Sequence, residues 1–165
     1  MDIYLIRHGD TVAPANRQDN PQRPLTAEGV AKLKRQAKTL VQWKLPIDTL
    51  VSSPFVRARQ TADIVAEALH LPVIEDALLT RTQFGLEQLD QLIAKYPQAK
   101  HLMLAGHEPD FSKIMSAVIG GGSLQIDHGG IGRIALKTLH PPSGTLLWLL
   151  TPDVMGAEPP GPDDS

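Results

Sequence analysis

The order of elements along this chain predicts an α/β protein: a three-layer α/β/α sandwich on a mainly parallel central sheet. Three observations lead there. Short apolar runs rich in β-branched residues alternate with longer stretches whose apolar residues recur at helical spacing. Capping and breaking residues such as Thr26, Pro97 and Gly120-Gly121-Gly122 punctuate the alternation. Arg7-His8, Ser53 with Arg57, and Gly106-His107 each fall just past an apolar run. Strands alternating with helices give a parallel sheet covered on both faces, whose strand ends share one edge.

Residues 3–7 read as the first strand, and the polar, turn-rich residues 14–24 as a loop. Thr26 is the expected N-cap of the first helix, with Glu28 in its first turn. Val30, Leu33, Ala37, Leu40 and Val41 form its apolar stripe, with Lys32, Lys34, Arg35 and Lys38 on a solvated face. Gly29 is expected to weaken this helix slightly. Residues 49–52 read as the second strand. Ser53 is then the expected N-cap and Pro54 the first residue of a helix buried through Ala58, Ala62, Val65 and Leu69.

Residues 71–74 suggest a short strand, and Leu86, Leu89, Leu92, Ile93 and Tyr96 a helix ended by Pro97. Residues 101–105 read as a strand, followed by a helix through Phe111, Ile114, Met115, Val118 and Ile119. Residues 130–136 and 145–150 read as two final strands around the turn Pro141-Pro142-Ser143-Gly144. Residues 1–151 are thus one domain and 152–165 a flexible tail, with disorder expected over the Pro-, Gly- and acid-rich residues 156–165.

The 165 residues suffice for one domain with a normal core, and 42% hydrophobic with 21% charged residues is ordinary for a globular protein. A net charge of −2 without a basic stripe argues against nucleic acid as partner. Without cysteine there are no disulfides, thiolate metal sites or thiol nucleophiles. The strongest apolar run, Leu146-Leu147-Trp148-Leu149-Leu150, is too short to span a bilayer, and Asp2 and Arg7 do not fit a signal peptide. A cytoplasmic location without membrane association is expected.

The three strand ends bring together Arg7, His8, Arg57 and His107, with a helix N-terminus. Paired guanidinium donors and free helix N–H groups suit a tetrahedral dianion. A neutral imidazole can accept a phosphoryl group without a metal ion, so His8 is the candidate nucleophile. Arg7, Arg57 and His107 are placed to neutralise the transferring group. Arg59, two positions on, reads as a surface charge. His70, His101, His128 and His140 lack metal-ligand spacing and read as structural or surface residues.

These residues resemble the histidine phosphatase, or phosphoglycerate mutase-like, superfamily. The likeness rests on four ordered motifs: Leu5-Ile6-Arg7-His8-Gly9, Arg23-Pro24-Leu25-Thr26-Ala27-Glu28-Gly29, Ser52-Ser53-Pro54-Phe55-Val56-Arg57-Ala58-Arg59-Gln60-Thr61-Ala62, and Ala105-Gly106-His107-Glu108-Pro109. Within that superfamily the short chain and the form of the last two motifs look most like the SixA phosphohistidine phosphatases. The resemblance implies that His8 becomes phosphorylated and that Arg7, Arg57 and His107 complete the phosphate pocket, with Arg23 at its border. It implies no cofactor and no metal. The implied partner is a phosphorylated protein, such as a histidine phosphotransfer domain of a sensor kinase, with inorganic phosphate as product.

Where mutases and many acid phosphatases of this superfamily carry a general acid, this chain reads Ala77-Leu78-Leu79-Thr80-Arg81-Thr82. Glu75 and Asp76 precede that stretch and read as surface charges. An alkoxide leaving group needs a proton donor, whereas a phosphorylated imidazole can carry its own proton. Together with the short stretch between Arg57 and His107, which leaves no room for a capping domain, this favours a phosphohistidine substrate. The alternatives are a small-molecule phosphomonoesterase of the same superfamily and a non-catalytic phosphate-binding module.

Overall fold

The computed structural model describes residues 1–14 and 19–155. Its strands are β1 (Asp2–Arg7), β2 (Thr49–Ser52), β3 (Val73–Glu75), β4 (His101–Gly106), β5 (Ile131–Leu139) and β6 (Pro142–Leu150). Its helices are α1 (Ala27–Gln42), α2 (Val56–Leu69), α3 (Leu86–Lys95), α4 (Asp110–Val118) and α5 (Pro152–Met155), with a 3-10 turn at Ala77–Leu79. The strands form one sheet in the order β3-β2-β4-β1-β5-β6. The β3, β2, β4 and β1 strands run parallel, β5 runs antiparallel to β1, and β6 antiparallel to β5.

Strand period fixes the layers. In β1, Ile3 and Leu5 face a core shared with Leu89 and Leu92 of α3 and Phe111, Ile114 and Met115 of α4. Tyr4 and Ile6 face the opposite core, with Leu33 and Leu40 of α1 and Ala62 and Val65 of α2. In β4, Leu102 and Leu104 divide from Met103 and Ala105 in the same way. Central parallel strands buried on both faces read as continuous apolar runs for this reason. Each buried Leu- or Ile-sized side chain contributes roughly 1.5–3 kcal/mol, well above any helix propensity difference. The expected three-layer sandwich is therefore held mainly by two cores flanking one sheet.

Four local expectations need correction. In α1, Thr26 caps as expected, its Oγ1 accepting from Gly29 N–H at 2.9 Å. Val41, however, is 44% exposed, and Gln36 is buried in the stripe. Gln36 Nε2 donates to the Gly129 carbonyl at 3.0 Å, so a polar side chain there satisfies a buried acceptor. Gly29 is not a weak point: a Cβ there would lie 2.5 Å from the Asp10 carbonyl oxygen, so the close approach requires glycine.

The start of α2 also moves. The helix begins at Val56 with Phe55 as N-cap, not at Ser53-Pro54. Ser53 instead prolongs β2, its N–H donating to the Ala105 carbonyl at 3.0 Å. The strand bond outcompetes helix entry, and Arg57 still falls in the first helical turn.

The chain past Thr151 does not leave the domain at once. Pro152 and Met155 of α5 are buried, and Met155 joins the core formed by Leu33 and Leu40. Thr39 Oγ1 donates to the Met155 carbonyl. Residues 156–165, expected to be disordered, lie outside the described residues. Among the described residues, no helix is long and apolar enough to cross a membrane.

Candidate active site

The carboxyl edge of the sheet carries the site. At the end of β1, Arg7 N–H donates to the Gly130 carbonyl and His8 N–H to the Gly106 carbonyl, both at 3.0 Å. These bonds continue the sheet on either side and fix the backbone below His8. Gly106 lets β4 end against α4, since a Cβ there would lie 2.5 Å from Phe111 Cζ. Gly9 N–H donates to Thr61 Oγ1 at 3.2 Å, and that hydroxyl donates to the Arg57 carbonyl at 2.8 Å. The triplet Arg7-His8-Gly9 is thereby tied to α2.

His8 Nδ1 lies 2.9 Å from the carbonyl oxygen of Gly9. A carbonyl only accepts, so Nδ1 carries the proton and Nε2 presents its lone pair. Burial pushes the His8 imidazole down to about 2, with His107, Arg57 and His128 adding to the effect and the Gly9 bond opposing it. His8 is neutral over the physiological range.

His107 lies beside it, ring centroids 5.4 Å apart. Burial, then Arg57, Arg81 and Arg7, hold it down to about 3. Its Nε2 meets Ser53 Oγ at 2.8 Å, and Phe55 packs against its ring.

Arg57 is fully buried. Its Nη2 donates to both carboxylate oxygens of Asp19 at 3.1 Å, and its Nη1 to the Asn20 carbonyl at 3.1 Å. Asp19 also receives Arg81 Nη1 at 3.3 Å, and Arg23 Nη2 approaches to 3.9 Å. Arg59 points away, pairing with Asp63 and Glu75. Asp76 caps the 3-10 turn and pairs with Lys95.

The structure brings the five expected residues near one another at this edge: Arg7, His8, Arg57 and His107 close together, and Arg23 linked to Arg57 through Asp19. Sequence reasoning missed three others. His128 was expected to be structural or surface, yet its ring lies 5.3 Å from that of His8 and its Nε2 accepts from Arg7 Nη2 at 2.9 Å. Its signal was its place just before β5, which enters the sheet beside the end of β1. Asp19 stands four residues before Arg23, a spacing that offered a charge pair. Arg81 stands in the acid-free segment 77–82, beside Thr82, whose N–H donates to the buried Asp110 carboxylate at 2.6 Å.

Among the described residues, the Nε atoms of Arg7, Arg23 and Arg57 and the Nδ1 of His107 are buried without a partner. Buried donors of this kind are costly unless something accepts from them. Guanidinium donors around two neutral imidazoles, one with a free lone pair, suit an oxyanion that undergoes attack.

Comparison with known proteins gives a family and a fold. Residues 3–117 match the histidine phosphatase superfamily (branch 1). An uncharacterised protein of Picosynechococcus sp. is 36% identical over 126 residues, covering 73% of this chain and 74% of that one. The phosphohistidine phosphatase SixA of Escherichia coli is 34% identical over 85 residues, about half of each chain (52%). A structure of the protein histidine phosphatase SixA complexed with tungstate shares the fold, with a TM-score of 0.81 at 24% identity over 94% of this chain and 99% of that one.

Proposed function

This chain belongs to the histidine phosphatase superfamily (branch 1), and on that premise we propose that it is a metal-independent phosphatase working through a covalent phosphohistidine on His8. The observation that carries the reading is the state of His8: Nδ1 is engaged by the Gly9 carbonyl, and burial keeps the ring neutral. Nε2 attacks phosphorus, forming the N–P bond as the bond from phosphorus to the leaving atom breaks. Arg7, Arg57 and His107 surround the group in transfer, where preorganised donors stabilise the spread charge. Water then attacks the phosphorus of phospho-His8, the N–P bond breaks, and inorganic phosphate leaves. Arg23 borders the pocket and contributes to its positive field.

We further propose phosphohistidine on a signalling phosphotransfer protein as substrate. Four carboxylates near the pocket already have partners: Asp19 with Arg57 and Arg81, Asp10 with Lys32, Glu108 with Ser112 and Asp110 with Thr82. A phosphorylated imidazole departs as neutral imidazole once its other nitrogen is protonated, so the substrate supplies the proton. Arg23 and Arg81 at the rim suit an acidic protein surface.

The test compares turnover of a phosphorylated histidine phosphotransfer domain with that of p-nitrophenyl phosphate, and traps labelled phosphate on the enzyme. Faster release from the domain, with label lost in His8→Ala, is the expected result. Much faster ester hydrolysis would instead make the chain a small-molecule phosphomonoesterase. No phosphoenzyme with either substrate would overturn the mechanism.

A further inference from the structure

We propose that His128 is a positioning residue, one that holds the Arg7 guanidinium in the orientation that grips a phosphoryl group. This rests on the reading of the pocket as a phosphoryl site.

Arg7 is clamped by two acceptors from one loop: Nη1 donates to the Ile126 carbonyl at 2.7 Å and Nη2 to His128 Nε2 at 2.9 Å. The loop is placed by topology. Because β5 runs antiparallel to β1, its first residues stand beside the last residues of β1, and Ile131 pairs with Ile6. Gly129 N–H is shared between the Arg7 and His8 carbonyls at 3.1 Å each. The backbone that carries His128 is therefore bonded to the backbone that carries the nucleophile. Two fixed acceptors remove the rotamer freedom of the arginine side chain before any anion arrives. The Nε of Arg7, without a partner among the described residues, remains a donor for that anion.

The tautomer of His128 is set as well. Asp10 Oδ1 lies 3.5 Å from His128 Nδ1, and Lys32 Nζ lies 3.4 Å from Asp10 Oδ2. A proton on Nδ1, toward the carboxylate, leaves Nε2 as the acceptor that the Arg7 donor requires. The charged groups around His128 are Arg7 and Arg23, which favour its neutral form, and Asp10 and Asp127, which oppose them. Burial, with Arg7 next, holds His128 below the usual imidazole range, in keeping with an acceptor role.

The experiment is a double-mutant cycle on the intact chain, read as the Kd of inorganic phosphate by calorimetry at mildly alkaline pH, where phosphate is a dianion. His128→Leu removes the acceptor and is expected to weaken binding about tenfold, as for one hydrogen bond to a charged group. His128→Gln places an amide oxygen near the position of Nε2 and is expected to stay within about threefold of the wild type. In an Arg7→Ala background, His128→Leu is expected to add nothing, because the group it positions is gone. Additive losses in the cycle, or a Gln variant no better than Leu, would overturn the proposal while leaving the phosphatase reading intact. A wild-type chain that binds no phosphate would overturn both.

Discussion

Asp19 stands with both carboxylate oxygens 3.1 Å from Nη2 of Arg57, so the most deeply buried arginine of the site is already paired in the structure. Arg81 and Arg23 converge on the same carboxylate. A phosphoryl group that uses Arg57 must share that guanidinium with Asp19 or displace it. Asp19 is then both a counter-ion for the pocket and a competitor for its ligand. The variant Asp19→Asn separates the two effects. Phosphate binding is expected to tighten on the order of fivefold, and stability to fall by about 1 kcal/mol, since the pair is partly solvated. Calorimetry and urea unfolding give the two numbers. Weaker phosphate binding would show that Asp19 supports the bound anion.

Arg57 and Arg59 are two residues apart in one helix yet face different surroundings. Arg57 is buried over the Phe55 ring, whereas Arg59 pairs with Asp63 and Glu75 on the surface. Arg57→Ala is expected to cost about 3 kcal/mol of transition-state stabilisation, as for one lost oxyanion donor. Arg59→Ala is expected to change kcat/KM little. Equal losses in the two variants would mean that the pocket uses both cations or the other one.

Two neutral, buried histidines make stability depend on pH. Burial holds His8 down to about 2 and His107 down to about 3 in the folded chain, against 6.5 for an unperturbed imidazole. Below 6.5 the unfolded chain binds more protons than the folded one, so stability rises with pH across this window. Stability is therefore fully present above the unfolded value and is lost as pH falls toward about 3. Each histidine contributes a slope of up to about 1.4 kcal/mol per pH unit. Urea unfolding at a series of pH values is expected to show this acid loss, reduced in a His8→Asn/His107→Asn double variant. An unchanged slope in the double variant would assign the acid loss to other groups.

The sheet and both cores were legible because the periods of strands and helices are local signals. Ile3 to Ile6 and Leu102 to Ala105 are apolar without break because both faces are covered, and the helical stripes follow their own spacing. Arg7, His8, Arg57 and His107 were legible because parallel strands end on one edge. His128 was not, because reaching it required the direction of β5, which no local pattern gives. Asp19 and Arg81 were not, because each belongs to the site only through the loop that carries it. The exchange of Val41 for Gln36 in the buried stripe has the same origin: the Gly129 carbonyl that Gln36 satisfies is ninety-three residues away.

Gly29 offers a test of how tightly the α1 start holds the strand end that carries His8. In an open helix Gly→Ala would stabilise by up to about 1 kcal/mol. Here the added Cβ would meet backbone, 2.5 Å from Asp10 O and 3.1 Å from Asp10 N. Asp10 cannot retreat freely, because its carbonyl also accepts from Thr26 N–H at 2.9 Å, the residue that caps α1. Overpacking of this kind costs about 1–3 kcal/mol and outweighs the propensity gain. Any shift of Asp10 also moves the neighbouring Gly9 carbonyl, which orients His8 Nδ1. Gly29→Ala is therefore expected to lower urea stability by about 1–2 kcal/mol and to slow phosphoenzyme formation on His8. A variant that is more stable than the wild type, with unaltered phosphoenzyme formation, would show that this strand end yields without cost.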